Sequence, residues 1–247
     1  MLRVLLTIAL TICSGSLAAQ DEPPPDPKAD FVAANILGIF YHELGHALID
    51  IEEVPIFAQE EDAADVFSIY LIDTLFDEES AEALAYDAAF GFWAEAENRN
   101  RFTDEIAWWD VHGPDEQRFY NTVCIFYGAN PEARQDFAED LGLPEERAEY
   151  CPFEYDQANA AWGGILDEIA ERRVGARIVF SSEDDLLATE LLREEVAFLN
   201  QEFTLSDALT VAVAPCGEAN AFYDPNERAI TFCSEFEDYL WELADRL

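Results

Sequence analysis

Two of the three histidines in the chain stand four residues apart, with an acid directly after the first. His42, Glu43 and His46 form an H-E-x-x-H motif inside an apolar stretch whose spacing predicts a helix. Positions i and i+4 share one helix face, so the two imidazoles could bind one zinc ion at about 2.0–2.1 Å each. Glu43 could then deprotonate a water molecule held by the metal. The motif therefore predicts zinc-dependent hydrolysis of peptide bonds.

A catalytic zinc site needs a third protein ligand, and an acidic cluster at residues 60–65 contains the candidates. Glu61 and Asp65 have the E-x-x-x-D spacing found on a second helix of gluzincin-type peptidases. Because both would lie on one helix face, we expect Glu61 to bind the metal and Asp65 to orient a histidine. Glu60 is the main rival for the ligand role, and Asp62 is a weaker one. The alternative explanation is an acidic helix N-terminus that favours the helix dipole.

The third histidine, His112, lies in an aromatic-rich segment that also contains Arg118 and Tyr120. Hydrolysis at a zinc site builds negative charge on the carbonyl oxygen, which a His, Tyr or Arg donor would stabilise. We expect His112 to be this catalytic donor, with Tyr120 and Arg118 as further candidates. The competing structural roles are a loop histidine and an arginine–carboxylate contact that holds two helices together.

The surrounding residues indicate a mainly helical first half and a smaller second half with strands. Apolar residues at three- and four-residue steps predict helices, and short β-rich runs between turn residues predict strands. Helices are expected over residues 31–51, 60–76, 80–98, 115–127, 155–173 and 183–202 and from 236 onward, and strands over 176–180, 209–213, 219–223 and 229–232. The expected fold class is α+β, with a zincin-like helical zinc-binding half (31–174) and a β-containing half (175–247) that form one catalytic fold.

The N-terminus has the pattern of a signal peptide over residues 1–19. Arg3 precedes a short apolar run at 4–12, and small residues follow at 16–19. Residues 20–30 are acidic and Pro-rich, which predicts an extended leader. The apolar run is too short to span a bilayer, although an uncleaved membrane anchor is the alternative. The mature chain is therefore expected to be secreted or periplasmic, without an integral membrane span.

Removal of a signal peptide would leave four cysteines: Cys124, Cys151, Cys216 and Cys233. An even number in an exported chain indicates two disulfides, for which three pairings are possible. We expect the pairings that are local in sequence, Cys124–Cys151 and Cys216–Cys233. A zinc–thiolate cluster is the alternative, but the chain has no C-x₂-C spacing to favour it.

The chain is strongly acidic, with 53 acidic and 13 basic side chains and a formal net charge of −40. This charge disfavours nucleic acids and anionic membrane surfaces as partners. Because the acids are spread along the whole chain, we expect a solvated surface suited to a salty medium, with selection of cationic substrates as the alternative. The expected partner is a peptide or protein substrate.

Four segments together resemble one bacterial family, and they cover most of the mature chain. The segments are HELGHALID at 42–50, EEDAAD at 60–65, DEQRFYN at 115–121 and CGEANAFYDP at 216–225. The family is described as metallopeptidases of otherwise unknown function with gluzincin-like zinc ligands. The first two segments are chemically specific, and the other two are specific to the family without a proven role.

The resemblance implies an exported zinc peptidase. By matching positions, His42, His46 and Glu61 would bind Zn²⁺ and Glu43 would be the general base. A catalytically weak metal-binding or inhibitory protein on the same scaffold is the alternative. The intact Glu43 argues against it, because such a protein could lose this residue and still hold metal. A calcium-binding protein is disfavoured because no D-x-[DN]-x-[DN]-G loop is present.

The order of the segments departs from that family, in which CGEANAFYDP precedes the HELGH helix. Here it follows the helix, so the chain resembles a circular permutation of the family pattern, or two abutting fragments. A permutation predicts that Leu247 lies near Phe31 and that residues 175–247 pack against the zinc helices. An extended substrate could also pair with the hairpin around 224–227, if the hairpin borders the cleft. A disulfide-closed hairpin that covers the core is the alternative.

Overall fold

The computed structural model describes residues 26–57, 59–102, 105–182 and 185–246, so the predicted signal peptide lies outside the described residues. The helices are α1 (Pro27–Ile51), α2 (Glu60–Leu75), α3 (Glu78–Phe102), α4 (Asp115–Ala129), α5 (Gln135–Asp140), α6 (Glu145–Ala148), α7 (Cys151–Ala158), α8 (Gly164–Glu171), α9 (Leu187–Glu202) and α10 (Ser234–Ala244), with a π-helical turn (Asn159–Gly163) between α7 and α8. The strands are β1 (Ile178–Phe180), β2 (Leu209–Ala214), β3 (Ala221–Asp224) and β4 (Ala229–Cys233). The predicted α+β fold class is confirmed.

Helix α1 begins at Pro27, four residues before the predicted start, and so takes in the end of the predicted leader. Asp26 is the N-cap, and its carboxylate accepts a hydrogen bond from the backbone N–H of Lys28. Proline at the first helical position suits the start of a helix, because its missing N–H would have no partner there. The proline-rich composition of residues 20–30 predicted an extended segment, and the helix start at Pro27 lies within it.

Helix α1 is also the centre of the core. Phe40, Tyr41 and Leu44 on it are almost completely buried. Among the described helices, α1 alone is long and apolar enough by length and composition to cross a membrane, yet most of its apolar stretch is buried inside the fold. Helix α2 packs closely on it, because a Cβ atom at Gly45 would lie only 3.1 Å from the Cα atom of Ala64. This close packing brings the acidic start of α2 to the histidines.

A small mixed sheet in the order β1-β2-β4-β3 covers another side of α1. Strands β1, β2 and β4 are parallel, and β3 pairs antiparallel with β4 as an edge strand. Alternate residues of β2 are buried, as expected for a sheet with one face on the core. The predicted hairpin is present, with its turn between β3 and β4, and it places the edge strand beside α1.

The described ends of the chain lie side by side. Lys28, at the start of α1, forms an ion pair with Asp245, just after α10. Leu247, for which proximity to Phe31 was predicted, lies outside the described residues. Elsewhere between the two halves, the hydroxyl of Tyr239 donates to the carboxylate of Glu95 at 2.7 Å.

Both sequence-local disulfides are present. Cys124 in α4 is bonded to Cys151 in α7, and Cys216 is bonded to Cys233 at the end of β4. The Cα–Cα distances are 5.0 and 5.4 Å. Two disulfides indicate an oxidising environment, outside the cell or in the periplasm.

Candidate metal centre and cleft

Three metal-binding side chains converge where α1 meets α2. The Nε2 atoms of His42 and His46 lie 3.2 Å apart, and Glu61 Oε2 lies 3.2 and 3.1 Å from them respectively. Tetrahedral ligands at about 2.0–2.1 Å from a zinc ion would be about 3.3 Å from one another. Two neutral imidazoles and a carboxylate are also a usual donor set for catalytic zinc. The residues therefore fit a metal ion, in type and in spacing.

Each histidine is oriented by a second carboxylate on α2. His42 Nδ1 lies 2.8 Å from Asp65 Oδ1, and His46 Nδ1 lies 2.8 Å from Glu60 Oε1. An Nδ1–H group that donates to a carboxylate leaves the Nε2 lone pair free for a metal. Glu61 thus faces both Nε2 atoms, whereas Glu60 contacts the opposite side of His46. This arrangement favours Glu61 over Glu60 as the third ligand.

Arg118 supports Asp65 from α4. Its Nε and Nη2 atoms donate to the two oxygens of Asp65 at 2.7 Å each, and its guanidinium lies 4.3 Å from the centre of the Phe92 ring. Burial opposes ionisation of Asp65, but Arg118 and His42 lower its pKa below the usual value. Of the two roles considered for Arg118, the structure therefore shows the arginine–carboxylate contact between two helices.

The protonation of the centre reflects these acids. Burial lowers the pKa of His42, but hydrogen bonds with Asp65 and Glu61 outweigh it and raise the pKa to about 9. The pKa of His46 is also raised, because hydrogen bonds with Glu61 and Glu60 outweigh its burial. The pKa of Glu61 lies well below its usual value, since the imidazoles of His112, His42 and His46 all contact its carboxylate. Protons therefore compete with a metal for these imidazoles.

Glu43 is buried beside the histidines and contacts the edge strand. Burial raises the pKa of its carboxyl group, while the nearby histidines and a hydrogen bond from the backbone N–H of Tyr223 act in the opposite direction. A raised pKa suits a carboxylate that accepts and later returns a proton. Tyr223 also donates its hydroxyl to Asp50 at 2.7 Å, so β3 is fixed against α1 along two turns of the helix.

His112 reaches the centre from the loop before α4. Its Nε2 atom lies 2.9 Å from Glu61 Oε2, and its ring stacks on that of His42 with centroids 6.0 Å apart. His42, Glu61 and His112 can together place one donor atom each within 4.8 Å of one another. The side chain of His112 is 42% exposed, so it remains open to a ligand. The structure thus brings all three histidines of the chain to one place.

Tyr120 and Asp62 are placed differently. Tyr120 packs against the ring of Phe119 at 5.0 Å between centroids and is not among the described residues that line the cleft. Asp62, unlike Glu60, Glu61 and Asp65, is not among the described residues that line the cleft. Sequence reasoning missed Tyr223 as a residue of the site, although it lies within the CGEANAFYDP segment that we singled out. It also missed the orienting role of Glu60.

A cleft of about 1190 Å³ surrounds the centre and extends along α1 in both directions. The residues of α1 that line it share one helix face: they are Asn35, Gly38, Ile39, His42, Glu43, His46, Ile49 and Asp50. From the first to the last, this face is about 23 Å long at 1.5 Å per residue. Helices α2, α3, α4 and α10 and strand β3 form the other walls. The metal centre lies near the middle of the cleft.

An H-E-x-x-H helix, a carboxylate from a neighbouring helix and an open cleft together define a metal-dependent hydrolase of the peptidase class. The family model DUF4344, described as "Putative metallopeptidase", matches residues 13–166 and 180–245. Because these segments make up most of the chain, the protein belongs to this metallopeptidase family. No curated protein and no solved structure matches the chain.

Proposed function

We propose that the protein is an exported zinc-dependent peptidase that cuts internal bonds of extended peptides. The observation that carries the proposal is the spacing of 3.1–3.2 Å among the donor atoms of His42, His46 and Glu61, with the Glu43 carboxyl group buried beside them. The two disulfides and the N-terminal sequence pattern support export.

His42, His46 and Glu61 would hold the zinc ion, with Asp65 and Glu60 orienting the imidazoles. When bound, zinc would supply Lewis acidity, which acidifies water and polarises a carbonyl group. Glu43 accepts the proton of the attacking water and later donates it to the leaving amine. Its burial supports this role, because a carboxylate with a raised pKa is a stronger base.

His112 is proposed to stabilise the negative charge that develops on the carbonyl oxygen. Its imidazole lies 2.9 Å from the Glu61 carboxylate, comes from outside the H-E-x-x-H helix and is partly open to the cleft. A catalytic role for Tyr120 stays a prediction. Its ring packs beside Phe119, and it is not among the described residues that line the cleft. Tyr223 is a phenol that does line the cleft.

The shape of the cleft supports a peptide substrate. About 23 Å of helix face accommodates about seven residues of an extended chain at 3.3 Å per residue. Strand β3 is the edge of the sheet and lines the cleft through Phe222 and Tyr223. A peptide that pairs with it as a further strand would replace the hydrogen bond from the Tyr223 backbone N–H to Glu43. Because the centre lies near the middle, the peptide would extend to both sides of the cut bond.

We further propose that the chain is a circular permutation of the family pattern. The ion pair between Lys28 and Asp245 supports this, since the two ends are close enough for a short linker. A chain that joins residue 246 to residue 26 and opens between residues 173 and 176 should fold and bind metal like the natural one. Failure of this chain to fold would contradict the permutation.

Elemental analysis of the purified, disulfide-intact protein tests the function. We expect about one zinc per chain, lost in Glu61→Ala and retained in Glu43→Gln. Peptide cleavage should be lost in both variants. Zinc binding without any cleavage by the wild type would favour the alternative of a metal-binding or inhibitory protein. Absence of zinc after reconstitution would refute the peptidase proposal.

A further inference from the structure

The cleft has two chemically different ends. Toward the C-terminal end of α1, Asp50, Glu53 and Tyr223 line it. Toward the N-terminal half of α1, apolar side chains from four helices surround a space that we call the apolar chamber. It is lined by Gly38, Ile39, Ile72, Ala88, Phe92 and Leu240.

The chamber reaches into the hydrophobic core. Ile72 and Leu240, which belong to the core, are among the residues that line the cleft here. Asn35, Ser68 and Glu95 are polar residues that line the same part of the cleft, and each has a protein partner. Asn35 Nδ2 donates to the carbonyl oxygens of Phe31 and Asp87, Ser68 Oγ donates to the carbonyl oxygen of Gly38, and Glu95 accepts from the hydroxyl of Tyr239. A ligand in the chamber would therefore meet mainly apolar atoms.

Gly38 keeps the chamber open. A Cβ atom at this position would lie 3.5 Å from the Cβ atom of Ala88, which is an ordinary contact. By contrast, a Cβ atom at Gly91 would lie 1.9 Å from Asn35 Oδ1, so Gly91 is required by packing. Glycine inside a helix is unfavourable relative to alanine. At Gly38 the backbone does not need glycine, and its effect is to leave space.

The chamber is within reach of the metal centre. Gly38 precedes His42 by four residues on the same helix face, about 6 Å along the axis. Phe92 lies beneath the guanidinium of Arg118, which bonds the carboxylate that orients His42. Neighbouring residues of an extended peptide are about 3.3 Å apart. A residue next to the bond at the centre can therefore place its side chain in the chamber.

We propose that the apolar chamber binds a large apolar side chain of the substrate, such as Phe, Leu or Ile, next to the bond that is cut. This inference rests on the proposed peptidase function for the identity of the ligand. The chamber itself is independent of metal and of catalysis, because apolar cavities bind apolar molecules by burial alone.

The first test uses toluene as a probe of the chamber in the full-length, metal-free protein. NMR titration should show saturable binding to the wild type. Binding should weaken about 10-fold or more in Gly38→Leu, whose side chain fills the space, and less in Gly38→Ala. Gly164→Leu on α8 is the matched control, because a Cβ atom there would lie in open space. No binding to the wild type, or equal binding to Gly38→Leu and Gly164→Leu, would overturn the proposal.

The second test maps cleavage sites in a peptide library with the zinc-loaded protein. Large apolar residues should be enriched at one position beside the cut bond. In Gly38→Leu, cuts beside Phe or Leu should fall about 10-fold relative to cuts beside Ala. Cleavage without an apolar preference would overturn the substrate assignment. Toluene binding as expected without any cleavage would support the apolar ligand site and refute the peptidase function.

Discussion

Neutralisation of Asp65 should weaken metal binding far more than neutralisation of Glu60, although each carboxylate orients one histidine. Asp65 has a side chain that is 12% exposed, and it accepts two hydrogen bonds from Arg118 and one from His42. Glu60 has a side chain that is 48% exposed, and among the described residues its one hydrogen-bond partner is His46. Loss of a residue that orients a ligand typically lowers metal affinity about 10- to 100-fold. We expect the upper end for Asp65→Asn and the lower end for Glu60→Gln.

The two variants should also differ in the stability of the metal-free fold. Asp65→Asn removes the carboxylate that is bonded to the buried guanidinium of Arg118, which costs about 3 kcal/mol, although Asp115 and Glu61 remain near this charge. For a domain of this size, each kcal/mol shifts Tm by about 2–4 °C, so a decrease of about 6–12 °C is expected. Glu60→Gln should leave Tm almost unchanged, because a half-exposed contact contributes little.

Zinc affinity would be measured by competition with a chromophoric chelator, and Tm by calorimetry of the metal-free proteins. Arg118→Met in combination with Asp65→Asn is the matched control, because it removes the unpaired charge and should recover part of the lost Tm without restoring zinc affinity. Equal zinc affinities for Asp65→Asn and Glu60→Gln would refute the reasoning that burial and hydrogen-bond number set the strength of orientation.

Three further predictions concern the same centre. His112→Ala should lower kcat about 100-fold or more while zinc remains bound, which steady-state kinetics and metal analysis would check; unchanged kcat would exclude the donor role. Zinc affinity should rise as pH increases toward about 9, by about tenfold per pH unit for each proton displaced, because the pKa of His42 is raised to about 9 and only the deprotonated imidazole binds metal. Chelator titrations from pH 6 to 9 would measure this, and a flat profile would contradict it. Gly45→Ala should weaken zinc binding, because the added methyl group would lie 3.1 Å from Ala64 Cα and displace α2, which carries Glu61. The better helix propensity of alanine, about 1 kcal/mol, offsets part of the packing cost in stability, so chelator competition is the measurement, and an unchanged zinc affinity would refute the role of close packing at this position.

Much of the metal centre could be predicted because its geometry is local to single helices. The spacings of His42 and His46 and of Glu61 and Asp65 each specify one helix face, whatever the rest of the fold. The disulfide pairings were predictable for a related reason, since both join cysteines that are close in sequence. What sequence could not provide was the relation between elements, such as the parallel pairing of β2 with β4.

The less predictable residues act across long stretches of sequence. Arg118 is 53 positions from Asp65, and the hydroxyl of Tyr223 meets Asp50 across 173 positions. No spacing rule links such pairs, because their contact depends on the packing of whole helices and of the sheet. An arginine near a catalytic motif is compatible both with a role toward substrate and with a structural contact, and only its observed partner separates them. Glu60 was considered solely as a rival ligand, although an acid beside the ligand can equally orient a histidine.

The two residues at the unspecified positions of the H-E-x-x-H motif, Leu44 and Gly45, connect the metal site to the packing of the helices. Leu44 is 1% exposed in the core, and Gly45 allows α2 to approach α1 as far as the backbone of Ala64. The same turn of helix thus directs two imidazoles to the cleft and a side chain to the core, and brings the partner helix that carries Glu61 within reach. Because the core holds both helices, the donor atoms are spaced for a metal by packing as well as by their mutual hydrogen bonds. A larger residue in place of Gly45 would keep the H-E-x-x-H sequence, but it would move Glu61 away from the two histidines.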